Sequence, residues 1–204
     1  MPLLLSSAYL PPISFFTAML ESGGEVFIEQ FDSYHKQTFR NRALIATSNG
    51  VQSLTIPVVK SEGGKMLMKD VRISDHGEWR HLHWNALETA YMNSPFFIYY
   101  QDDLRPFYEK RYEFLLDFNM ELTQTIADLI GMKCSFKRTD EFVAEPVEVT
   151  DMRAAIKGTT IHMPEIKPYY QVFAKKNGFL KDLSIVDLLF NMGPESILAL
   201  KNRL

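Results

Sequence analysis

The segment Tyr34-His35-Lys36-Gln37-Thr38-Phe39-Arg40-Asn41-Arg42 gathers side chains that could bind an anion. In an extended conformation Lys36, Thr38, Arg40 and Arg42 fall on one face, because strand side chains alternate with period two. Three cations converging there would form a phosphate or carboxylate site, since guanidinium groups bind such oxyanions bidentately. The same spacing also describes a solvated strand face with salt-bridge partners on a neighbouring strand. Spacing alone leaves both readings open.

A second group is His76, His81 and His83, set around Trp79 and Trp84. On a helix, residues two apart point to different sides, so His81 and His83 do not chelate one metal ion. No second cysteine or carboxylate stands at ligand spacing, and no metal site is expected. His83 shares a helix face with Trp79 and Leu87, which makes it buried or cleft-lining. It could serve as a general base or as a satisfied core histidine. Cys134 is the single cysteine. It excludes an intrachain disulfide, suits a reducing compartment, and reads as an inert small hydrophobe rather than a nucleophile. The chain has no GxGxxG or Walker loop, GxSxG elbow, HExxH or paired CxxC. These absences disfavour ordinary dinucleotide-dependent dehydrogenases, P-loop kinases and α/β-hydrolases.

The elements that must position these groups are legible in outline. Leu3–Ala8 reads as a buried strand, Ile13 to about Ser22 as a helix ended by Gly23-Gly24, and Glu25–Glu29 as a second strand. Such an opening belongs to α/β proteins, whose ligands sit beyond the strands' carboxyl ends. Tyr9, Leu10, Pro11 and Pro12 would occupy that loop. Phe39–Thr47 and Val51–Val59 flank Ser48-Asn49-Gly50 and predict a hairpin whose Asn-Gly supplies positive φ. Lys69–Ile73 reads as another strand. Helical spacing follows from about Gly77 to Pro95, then from about Phe107 to Ile130 with Gly131 as its cap. Ser184 and Asp187 fit a capping box before Leu188, Leu189 and Phe190. Residues 133–168 give no clear assignment. With no repeat and no linker, the expectation is one α/β domain over 1–204: an N-terminal strand–loop–helix–strand, a β-hairpin and a helical second half.

Bulk properties narrow the partners. A formal charge of −3 and a pI near 6.0 argue against a general nucleic-acid or anionic-membrane binder. No apolar run approaches the roughly 20 residues of a membrane span, and the apolar start lacks a basic flank, so a cytoplasmic location is expected. The 13% aromatic content fits a bulky core or an aromatic-lined cleft, core being the commoner use.

Four stretches together resemble one family. YLPPISFF at 9–16 is similar to the entry loop of WbqC-like proteins, and YHKQTFRNRALI at 34–45 followed by LTIPV at 54–58 is similar to their central motif. Trp79, His83, Glu88, Tyr91 and Pro95-Phe96 follow the spacing of the family's helix, and GFLKDLSIVDLLFNMG at 178–193 resembles its closing signature. The wording is most like members from Bacteroidetes. The chain departs from many relatives in having Glu29-Gln30-Phe31-Asp32 where they carry an Asp pair, and Ser6 or Ser7 for their glutamine.

The resemblance implies an association with O-antigen and other surface-polysaccharide clusters. The expectation is a transferase acting on a nucleotide-linked or phosphate-bearing sugar, its cofactor and oligomeric state unread. Tyr9 and Pro11 would shape a wall, Lys36, Arg40 and Arg42 would hold phosphates, and Asn41 would bind the sugar or acyl group. His83 would be the general base and Asn191 an additional site residue. The alternative is a non-catalytic binding or scaffold subunit of a polysaccharide-assembly complex, with the LSIVDLLFN helix as an interaction surface.

Overall fold

The computed structural model describes residues 1–60, 63, 65–156 and 167–201. In chain order the elements are β1 (Leu3–Leu5), α1 (Ile13–Glu21), β2 (Glu25–Ile28), β3 (Arg42–Thr47), β4 (Gly50–Thr55), α2 (Trp79–Tyr91), α3 (Phe97–Leu104), α4 (Pro106–Glu109), α5 (Leu115–Ile130), β5 (Ser135–Arg138), β6 (Thr150–Asp151), α6 (Ala174–Asn177), α7 (Ile185–Met192) and α8 (Ser196–Leu200). The mixed α/β architecture and helical second half match the expectation.

One sheet runs β5-β2-β1-β6, every pair parallel, with Leu3 opposite Val26 and Thr150, and Glu25 opposite Ser135. Leu3, Leu4 and Leu5 are all buried, as an unbroken apolar run in a covered parallel sheet should be. The chain leaves β1 toward β2 on one side, and β6 later pairs on β1's other side. That arrangement opens a switch point beyond Leu5, where Ser6, Glu29, Thr139 and Met152 follow the four strands. Gly24 permits the tight entry to β2: its φ is +85°, and a Cβ there would sit 2.2 Å from the Lys133 carbonyl oxygen.

The second sheet is the antiparallel β3–β4 hairpin, with Arg42 opposite Thr55 and Thr47 opposite Gly50. Ala43, Ile45 and Leu54 turn inward to the core, which α2 and α7 continue. The hairpin is shorter than its sequence suggests. In its turn Gly50 alone takes positive φ, +99°, and Asn49 does not.

The structure corrects four further expectations. Residues 36–41 form turns, not a strand, so their cations do not alternate on one face. Lys69–Ile73 is not a strand; a short 3-10 turn at Met68–Asp70 leads to two isolated bridges, Arg72 with Phe114 and Ile73 with Val58. The helix foreseen over 107–130 is broken, because Ile73 N–H donates to Glu113 O and Leu115 N–H to Val71 O, holding the 110–114 segment outside helical geometry. Tertiary pairing there outweighs apolar periodicity. Between Pro95 and Pro106 an additional helix, α3, appears; Ile98 and Tyr99 on its exposed side blur its amphipathic pattern.

The capping box at α7 is only half formed. Ser184 is the N-cap and its hydroxyl accepts from Val186 N–H, but its own N–H donates to Leu44 O, tying α7 to β3. The Asp187 carboxylate turns inward and accepts from Tyr91 OH (2.9 Å), Tyr169 OH (2.5 Å) and Gln171 Nε2 (2.9 Å). Among the described residues no helix is long and apolar enough to cross a membrane.

Candidate functional site

Where β4 ends, the chain from Ile56 to Lys60 runs beside the turn that precedes β3. Between them lies a pocket of about 450 Å³. Lys36, Arg42 and Lys60 bring three cations to it, and Ile56, Pro57, Val58, Val59 and Met66 form an apolar wall. The described lining contains no carboxylate, and none of the three cations forms an ion pair among the described residues. Arg42 is placed by strand register, with its Nε donating to Thr55 Oγ1 at 3.3 Å across the hairpin.

Asn41 is clamped at this wall. Its Nδ2 donates to Ile56 O (2.9 Å) while Ile56 N–H donates to the Asn41 carbonyl (2.8 Å). Its Oδ1 is buried with no hydrogen-bond partner among the described residues, as is the Tyr34 hydroxyl on the same lining. Burial pushes the Tyr34 phenol up to about 12, with the nearby Arg40 charge acting in the opposite direction.

Arg40 does not line the pocket. It is fully buried beyond the carboxyl end of β1, where Nη2 donates to Ser6 Oγ (2.9 Å) and forms an ion pair with Asp32. Its Nε and Nη1 have no hydrogen-bond partner among the described residues. Asn119 Nδ2 donates to the Arg40 carbonyl at 2.8 Å. Glu29 sits nearby at the end of β2, fully buried, accepting from Thr139 Oγ1 and from Phe31 and Val143 N–H and pairing with Arg153 at 3.4 Å. Glu29 and Asp32 are therefore each matched to a guanidinium.

His83 and Tyr9 meet in a separate, aromatic region. Tyr9 OH lies 2.9 Å from His83 Nδ1 and 3.0 Å from Tyr108 OH, and Trp79 packs edge-on to the imidazole at 5.2 Å. Burial pushes the His83 imidazole down to about 4, opposed by a hydrogen bond with the Thr55 backbone. His83 is therefore neutral at pH 7. It lines none of the described pockets; it neighbours the backbone of Thr55, whose hydroxyl receives Arg42. His81 lies on the exposed side of α2 beside Asn85.

Pro11 and Asn191 are core residues: the Pro11 carbonyl accepts from Ile185 N–H, and Asn191 Nδ2 donates to Asp187 O. Burial pushes the Cys134 thiol up to about 11, away from nucleophilic use. Of the residues singled out in sequence, the fold brings Lys36, Asn41 and Arg42 to one pocket and Tyr9 and His83 to one hydrogen bond. Lys60, Tyr34 and the aliphatic wall were not foreseen. Their signal was present in LTIPVVK, an apolar run ending in lysine whose Leu54 and Thr55 pair with Ala43 and Arg42.

No solved structure matches this chain. A curated relative, "Uncharacterized protein Rv1507c" of Mycobacterium tuberculosis, is 27% identical over 222 aligned positions, covering 95% of this chain and 94% of that protein. The model of the WbqC-like protein family matches residues 6–160, a span holding the whole cationic pocket. The chain belongs to the WbqC-like protein family.

Proposed function

We propose that the protein is a transferase acting on a phosphate-bearing small molecule, a nucleotide-linked or phosphorylated sugar in surface-polysaccharide synthesis. Its motif wording adds a Bacteroidetes source to the proposal. The supporting observation is the pocket of Lys36, Arg42 and Lys60, with three cations that form no ion pair among the described residues, no carboxylate on its described lining and an apolar wall. On a chain of net charge −3, such a local cluster favours a small anion over an extended polyanion. Lys36, Arg42 and Lys60 hold the phosphate, and His83 acts as a positioning group through Thr55 and Arg42.

The test is a thermal-shift screen against nucleotides, nucleotide sugars, sugar phosphates and acyl-coenzyme A, with Arg42→Ala and Lys60→Ala in parallel. A ligand at a hundredfold its Kd stabilises the fold by about 2.7 kcal/mol. A shift in wild type that is lost in both variants supports the reading; no shift with any phosphate compound overturns it. The rival reading, a non-catalytic binding or scaffold subunit, draws on Met92, Ile98 and Tyr99, exposed by 61%, 66% and 71% around the α2–α3 junction. The LSIVDLLFN helix offers that reading nothing, since Ile185 through Phe190 are fully buried.

A further inference from the structure

We infer, resting on the phosphate reading above, that the pocket takes a nucleoside phosphate whose base lies along the 56–59 wall and donates an N–H to Asn41 Oδ1. The amide is held in one orientation. Nδ2 donates to Ile56 O at 2.9 Å, and a flipped amide would set two oxygens against each other there. The open function at Asn41 is therefore an acceptor; the residue is 95% buried and that oxygen has no donor among the described residues. An unmet buried acceptor is costly, so a ligand group that donates to it recovers binding strength.

The rest of the lining sorts ligand chemistries. Inorganic phosphate satisfies the cations but covers neither Asn41 nor the apolar wall. A sugar phosphate offers hydroxyl donors, yet its ring is polar on every edge and gains little against Ile56, Pro57 and Val58. A nucleobase has a flat face for an apolar wall and in-plane N–H donors at its rim. Asn41 lines the pocket and its Oδ1 is buried, so a base reaches that atom only as neighbouring lining side chains move. Lys36 and Gln37 on the same lining are exposed, and neither makes a hydrogen bond or ion pair among the described residues.

The experiment is calorimetric titration of the full chain with pyrophosphate, ribose 5-phosphate and the four nucleoside diphosphates. The best diphosphate is then repeated with its donor nitrogen methylated. At least one nucleoside diphosphate should bind tenfold or more tighter than pyrophosphate and ribose 5-phosphate, and methylation should remove that margin. Asn41→Ala should also remove it while leaving pyrophosphate affinity within about twofold, whereas Arg42→Ala should weaken every ligand. Equal affinity for pyrophosphate or ribose 5-phosphate and all four diphosphates, or a methylated base binding as well as its parent, overturns the nucleobase inference and leaves the phosphate reading standing. No binding of any compound overturns both. The methylated ligand keeps the comparison decisive even if Asn41→Ala misfolds.

Discussion

Arg40 and Arg42 stand two residues apart and serve different purposes, because the intervening turn sends one inward and the other to the pocket. Arg40 is buried with Asp32 and Ser6, and a buried ion pair that loses one member leaves an uncompensated charge. Arg40→Ala should therefore destabilise the fold by about 3–5 kcal/mol in urea denaturation, with Arg40→Met/Asp32→Leu recovering much of that loss. An Arg40→Ala variant as stable as wild type would show that the pair contributes little. His83 yields a pH signature. Its folded pKa, about 4, lies below the ordinary 6.5, so the unfolded chain binds the proton first as pH falls. The contribution is fully present above pH 6.5 and is lost on the way down to pH 4, for about 3 kcal/mol. Wild type should show that decline, and His83→Gln should flatten it. Parallel pH profiles would remove burial as the cause.

At the scale of elements, the first turn of α7 is fixed by contacts that sequence only half disclosed. Ser184 was readable as an N-cap, whereas the Asp187 carboxylate joins Tyr91 of α2 to Tyr169, distant in sequence, and no local pattern announces such a pairing. The same holds for α4 and α5. Their apolar residues repeat as one long helix, and the interruption comes from backbone pairing with residues 71–73. The leucines of β1 and the inward residues of β3 were legible because burial alone dictates them. β5 and β6 were not, being short edge strands with mostly exposed side chains. At the end of α7, Gly193 has φ +53°, and a Cβ would lie 2.5 Å from the Phe96 ring. Gly193→Ala should lower stability by roughly 2–5 kcal/mol, from backbone strain and overpacking together. A melting temperature unchanged in that variant would mean that the α3–α7 junction is loose.

For the molecule as a whole, one hydrophobic core links β1 to α8, and two of the charged clusters on it differ in kind. The carboxyl edge of the parallel sheet holds paired charges, Arg40 with Asp32 and Arg153 with Glu29. The hairpin pocket holds cations that form no ion pair among the described residues. Sequence reading named Lys36, Asn41 and Arg42 for the second place, since residue type is visible in a string, but grouped Arg40 with them on the assumption of a strand. Which cations converge depends on the turn at residues 36–41, and turns of that kind are set by tertiary contacts such as Tyr9 N–H donating to Phe39 O. The central claim, that Lys36, Arg42 and Lys60 form an anion site, is tested most directly by calorimetric titration of pyrophosphate at low ionic strength into wild type and each alanine variant. The account predicts one saturable site in wild type, weakened about tenfold by each substitution and by added salt. Binding that survives all three substitutions, or no binding in wild type, would contradict it.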